Sequence, residues 1–168
     1  METPIIKIDD ILNFRQIDRQ INTDNLNGHI IGAQREQLAD LLGAGFYNAL
    51  ITTPASYIDL IEGETFTNSQ GETAQYFGLK PFLVFHTLSS LLNDNNLKIS
   101  DTGNDNFLDS TFQKASSGEI RDAKQDYTST ANVYRSNIIE YLDQNRSTYP
   151  LWRSKQKNNQ LDFDIQIF

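Results

Sequence analysis

The chain has two imidazoles, His29 and His86. Neither has a second nitrogen, sulfur or carboxylate donor at the one-turn spacing that lets a helix grip a metal from one face. His86 falls inside the apolar run FLVFHTLSSLL, where a hydrogen-bonded core imidazole is the expectation. The stretch DTGNDNFLDS has the oxygen-rich look of a calcium loop. Counted from Asp101, however, its sixth position is Asn106 and its twelfth is Phe112. An EF-hand needs glycine at the first for the bend and glutamate at the second for bidentate binding, so that chemistry is excluded. The GAG at 43–45 follows a helical pattern rather than a strand and has no third glycine at 48, whereas a phosphate cradle needs a strand feeding a helix N-terminus. With no cysteine, thiolate metal sites, disulfides and cysteine nucleophiles are ruled out. Adjacent acids such as Asp9 and Asp10 are ordinary solvated surface unless a pocket shifts their pKa. The expectation is a protein without catalytic residues, metal ligands or cofactor, and not an enzyme.

One cluster of charge remains. Trp152 stands beside Arg153, Lys155 and Lys157, a combination able to stack on a base and neutralise phosphate. The net charge of −8 and the isoelectric point near 4.6 weigh against it, because gripping nucleic acid takes clustered cations. A solvated linker, or a basic arm meeting an acidic partner, suits the balance better.

The elements that must carry these residues read as mainly helical. The composition, 38% hydrophobic and 21% charged over 168 residues, is that of one folded domain with a real core. Residues 5–22 predict a short helix or two around Ile8, Ile11, Leu12 and Phe14. Ile30, Ile31, Leu38, Leu41 and Leu42 then recur at helical spacing, with Asp24 or Asn27 as N-cap. Glycines at 43 and 45 make a joint before Phe46, Tyr47, Leu50 and Ile51. Thr53-Pro54 opens another helix, a capping hydroxyl followed by proline at the first position, which stops near Gly63. Residues 63–77 predict a hairpin or ordered loop turning at 68–71. From Leu79 to Asn93 the chain is apolar on so many sides that the helix belongs at the centre of the fold.

Residues 93–117 are polar, with strand-like pieces LKIS and STFQKAS. Ser116 and Glu119 have capping-box spacing, and they open the longest helix, whose face is traced by Ile120, Tyr127, Ala131, Tyr134, Ile138 and Tyr141. The expected fold is a compact bundle of four to five helices over 1–152, with insertions at 63–77 and 93–117 and a C-terminal arm at 153–168. In that arm Leu161, Phe163, Ile165 and Ile167 alternate with Asp162, Asp164 and Gln166 before Phe168, the period of a half-buried strand. Its partner is either the same chain's sheet or the sheet edge of a neighbouring subunit. No apolar run approaches the roughly 20 residues of a membrane span. The N-terminal METPIIKIDDILNF lacks the basic start and apolar stretch of a signal peptide.

Three stretches together, HIIGAQREQLADLLGAGFYNAL (29–50), GLKPFLVFHTLSSLL (78–92) and VYRSNIIEYLDQNRSTYPLW (133–152), resemble the small head–tail connector proteins of tailed bacteriophages, particularly crAss-like and related phages. The resemblance lies in Ala33-Gln34, the Leu41 to Tyr47 pattern, the apolar helix led by Gly78, and Tyr149-Pro150 closing the long helix. It implies a homo-oligomeric ring, commonly a dodecamer, at the head–tail junction of a virion assembled in the host cytoplasm. Its partners would be the portal and other neck or tail proteins, and DNA would pass through without sequence-specific binding. The subunit interface would draw on Tyr149, Trp152, Arg153, Leu161, Phe163, Ile165, Ile167 and Phe168. The residues themselves also admit a small soluble helical binding or regulatory module.

Overall fold

The computed structural model describes residues 2–14, 23–92 and 117–153. Within them the protein is mainly helical with one small antiparallel sheet. The elements are α1 (Ile8–Phe14), α2 (Thr23–Ala33), a π-helical turn (Gln34–Leu38), α3 (Ala39–Leu42), α4 (Ala44–Thr52), a 3-10 turn (Pro54–Tyr57), α5 (Ile58–Glu62), β1 (Thr65–Thr67), β2 (Thr73–Gln75), α6 (Leu79–Leu91) and α7 (Ser117–Gln144). The calcium-like stretch, the strand-like pieces of 93–116, Ser116 of the capping box, Lys155, Lys157 and the alternating terminus all lie outside the described residues.

α6 is central, as its pattern predicts. Leu79, Phe82, Leu83, Val84, Leu88 and Leu91 are all buried, so apolar side chains leave the helix in every direction. α7, α2, α1 and α5 pack around it. Polar cross-links tie these neighbours together. Ser89 Oγ lies 3.2 Å from Thr128 Oγ1, and His29 Nδ1 lies 2.9 Å from Ser90 Oγ. Lys80 reaches Glu62 at 2.7 Å and Asp10 at 3.4 Å, and Arg135 reaches Asp40 at 3.1 Å. His29 is therefore a structural hydrogen-bonding group. His86 stands edge-on to the Phe82 ring, centroids 4.6 Å apart. Burial, and then the nearby Arg135 charge, hold its pKa down at about 4, so it is a neutral ring packed among apolar neighbours.

α7 shows how a long helix is fastened along a narrow stripe. Its 28 residues span about 42 Å at 1.5 Å each, and the buried positions are Ala131, Ile138, Tyr141 and Leu142. Ala131, Ile138 and Tyr141 belong to the predicted face, Leu142 extends it, and Ile120, Tyr127 and Tyr134 of that face are half-buried. Two local expectations change. α2 begins at Thr23, so Asp24 and Asn27 sit inside the helix rather than capping it. The Thr53 hydroxyl donates backward to Ala49 O at 3.1 Å and accepts no N–H from the turn ahead as an N-cap would, because α4 runs up to Thr52 and its last carbonyls need donors.

Residues 63–77 form the predicted hairpin, with Thr65 opposite Gln75, Phe66 opposite Ala74 and Thr67 opposite Thr73. Asn68 fixes the turn: its Oδ1 accepts from Gln70 N at 3.0 Å and Glu72 N at 2.9 Å. The insertion contributes to the core, since Phe66 and Tyr76 are buried. At its base the backbone crosses itself. Gly63 and Gly78 have φ of +94° and +81°, and a Cβ at Gly63 would stand 2.5 Å from Tyr76 O and 2.8 Å from Gly78 N. A Cβ at Gly78 would strike the Ile61 carbonyl. Only glycine meets both the dihedral and the space.

Candidate functional site

The residues expected at an interface begin where α7 ends. Asn145 closes the helix: its N–H donates to Tyr141 O at 3.0 Å, and its side-chain Nδ2 donates to the same oxygen at 2.9 Å. Tyr149 N then donates to Asn145 O at 3.0 Å, and Trp152 N to Tyr149 O at 2.9 Å. These turns fold the chain back, so Tyr149 and Trp152, each 4% exposed, point into the chain's own core. Within the chain they are core side chains rather than free surface. Their area is already used within the chain, and drawing it out would cost the burial of two aromatic rings. Arg153 is exposed and its Nη1 lies 3.5 Å from Pro150 O. Leu161, Phe163, Ile165, Ile167 and Phe168 lie outside the described residues.

Tyr149 joins an aromatic stack that the sequence pattern treats only as a helix face. Tyr76 and Tyr141 lie parallel, centroids 3.9 Å apart. Phe66 meets Tyr141 edge-on at 5.4 Å, and Phe46 and Tyr57 pack on Tyr149. The hydroxyls of Tyr76, Tyr141 and Tyr149 are matched. Tyr141 and Tyr149 share a hydrogen bond of 2.9 Å, Tyr141 also donates to Glu64 Oε1 at 2.5 Å, and Tyr76 donates to Leu60 O at 2.8 Å. Burial, then the Glu64 contact, pushes the Tyr141 phenol far above its ordinary range. Burial also raises Tyr76. These phenols are proton-bearing donors, not bases. Nearby, Asp143 Oδ1 accepts from Trp152 Nε1 at 2.9 Å and from Arg146 at 2.6 Å.

A second polar cluster fastens the N-terminal segment. Gln34, fully buried in the π-turn, accepts from Ile5 N at 2.7 Å and donates to Glu2 Oε1 at 2.8 Å. Glu2 also takes Arg35 Nε at 2.7 Å and the Tyr47 hydroxyl. Burial acts to raise the Glu2 pKa, but the hydrogen bonds from Tyr47, Arg35 and Gln34 outweigh it and hold the carboxyl below its ordinary 4.5. Tyr47 is pushed up to about 12, first by burial and then by Glu2. The sequence carried one signal for this cluster: Gln34 lies four residues from both Ile30 and Leu38, a polar residue on an apolar stripe.

Residues 3–5 cover a shallow cleft of about 200 Å³ with Ile51, Pro54, Ala55, Ile58 and Ile61. That is below the roughly 300–1,000 Å³ of a small-molecule site, and Glu62 is the one ionisable residue lining it. Among the described residues no cluster of three His, Asp or Glu stands ready for a metal, and no helix is long and apolar enough to cross a membrane. What the arrangement does chemically is hold two chain segments in place through phenols, amides and carboxylates. Residues 38–160 match a family of unknown function, DUF6712. No curated protein and no solved structure matches the chain.

Proposed function

We propose a role for this chain as a member of the DUF6712 family, to which it belongs: a structural subunit of the head–tail connector ring of a tailed bacteriophage. The ring would dock below the portal, join capsid to tail and form part of the DNA channel. The observation that carries the reading is where the three connector-like stretches fall. Leu41, Leu42 and Phe46 from the first, Phe82, Leu83 and Leu88 from the second, and Ile138, Tyr141, Tyr149 and Trp152 from the third all belong to one core cluster. The stretches that carry the resemblance thus meet in one shared core, the kind of folded unit that a ring can repeat around its axis. The net charge of −8 is in keeping with a channel wall that repels phosphate and lets DNA slide.

The experiment is to read the neighbouring open reading frames for a portal, and then to examine the protein mixed with that portal by electron microscopy and light scattering. Rings with an axial channel, with acidic side chains toward the lumen, are expected. A chain that stays monomeric with portal and tail partners present, or a ring whose lumen is basic, overturns the proposal.

A further inference from the structure

The hairpin has two outer edges, and only one is closed among the described residues. Glu64 O accepts from Tyr76 N at 2.8 Å and Asn68 N donates to Glu72 O at 2.9 Å, so Glu64, Phe66 and Asn68 turn their backbone groups toward β2. By the alternation of an antiparallel ladder, Thr65 and Thr67 turn theirs outward. On the other strand, the outward groups of Gln75 and Phe77 are met by one side chain of α7. Asn137 Nδ2 donates to Gln75 O at 3.0 Å, and Phe77 N donates to Asn137 Oδ1 at 3.2 Å. The Asn137 amide imitates the peptide group of a third strand. No hydrogen bond among the described residues does the same for Thr65 and Thr67, which are exposed.

The last described residues lie close to the β1 side of the hairpin, through Tyr141 and Tyr149 beside Glu64 and Phe66. α7 passes beneath the hairpin from Asn137, at the outer edge of β2, to Tyr141, under Tyr76 and Phe66. That one turn advances about 5.4 Å, close to the strand spacing of about 4.8 Å, so the residues after Gln144 emerge on the side of β1. Tyr149 is there, 2.9 Å from Tyr141 through their hydroxyls. From Arg153, the spacer 154–160 reaches about 25 Å at most, at 3.3–3.6 Å per residue.

We propose that the outer edge of β1 is a strand-addition site, and that its occupant is the chain's own segment 161–168. Added beside β1, the segment places Leu161, Phe163, Ile165 and Ile167 on the face of buried Phe66. Asp162, Asp164 and Gln166 then lie on the solvent face with Thr65 and Thr67. Tethering holds the chain's own segment at a high effective concentration near the edge, which favours it over a neighbour's, and the site closes an edge that otherwise invites pairing between molecules. The proposal does not rest on the ring reading.

The test uses the absence of native cysteine. Thr67→Cys is combined in turn with Asp162→Cys, Asp164→Cys and Gln166→Cys, and the dilute protein is oxidised. One pair is expected to cross-link within a single chain. In the cysteine-free protein the amides of Thr65 and Thr67 are expected to exchange at least about tenfold more slowly than in a chain carrying Ile165→Pro or lacking 161–168. Cross-linked dimers and ladders would show a neighbour's arm on the edge and overturn the assignment. Equal exchange in full-length and truncated chains would show an empty edge and overturn it as well. Both measurements are made on the monomer, so their failure leaves the ring reading standing, and the reverse also holds.

Discussion

Glu2 and Glu64 each accept a tyrosine hydroxyl, and they secure opposite ends of the sequence by different means. Glu2 is met by a cation, an amide and a phenol: Arg35, Gln34 and Tyr47. It fastens the N-terminal segment as a strap across the π-turn, whose Arg35 is 61% exposed. Glu64 reaches in from an exposed position to Tyr141, which shares its hydroxyl with Tyr149, and the rings behind those hydroxyls are stacked and buried. The first cluster is held by charge-assisted hydrogen bonds that run from buried Gln34 out to exposed Arg35, where water and salt compete. The second is held by aromatic area, with the hydroxyls satisfied so that burial carries no penalty. The strap should therefore respond to solution conditions, and the stack to side-chain volume.

Removing the centre of the stack is the most severe way to test this difference. Tyr141→Ala is expected to cost about 3–5 kcal/mol in urea unfolding, the range for emptying a buried aromatic site. Tyr141→Phe keeps the ring and loses only the bonds to Glu64 and Tyr149, so about 1–2 kcal/mol is expected. If the two variants lose the same amount, hydroxyls rather than area hold the stack and the contrast with the strap disappears. Gln34→Leu comes next, at about 1–3 kcal/mol, because it strands the buried Ile5 N–H and frees the strap from its interior anchor. Proteolysis near the N-terminus should accelerate in that variant before the rest of the chain opens.

Acid separates the remaining contributions. His86 has a folded pKa of about 4, below its ordinary 6.5, so the unfolded chain binds its proton more readily. Stability is full above 6.5 and declines as pH falls toward 4. His86→Phe should flatten the melting midpoint between pH 7 and about 5.5, a window that lies above ordinary carboxylate titration. The lowered pKa of Glu2 acts further down: its contribution is present above 4.5 and lost as pH falls through the lowered value. Glu2→Gln should make the smallest change, within about 2 °C at neutral pH, and should blunt the acid response only below pH 4.5. A larger loss at pH 7 would make the strap as important as the stack.

The helices were legible because apolar spacing survives local irregularity. α6 declared itself by being apolar all round, and α7 by Ala131, Tyr134, Ile138 and Tyr141. The π-turn was not legible, since one widened turn leaves Ile30, Leu38 and Leu41 on a continuous stripe. Its only trace is Gln34 in a core position. The hairpin's turn could be read from Asn68 to Gly71, but its docking by Asn137 could not, because that contact joins residues about sixty apart in sequence. The inward packing of Tyr149 and Trp152 was not legible from Tyr149-Pro150, which marks only the close of the long helix. The Asn145 turn, which folds them inward, has no pattern that distinguishes it from an ordinary helix end.

The crossing at Gly63 and Gly78 has a practical consequence. It pins the two ends of the hairpin together independently of what lies between them, so lengthening the tip adds only the slowly growing entropy of a longer closed loop. The Ser69–Gln70 bond, exposed at that tip, is then a port at which an epitope or small fluorescent module can be spliced in. A tag placed there leaves the fastened N-terminal segment and the C-terminal segment untouched, whereas the same insertion one residue outside either glycine would unpick the crossing itself.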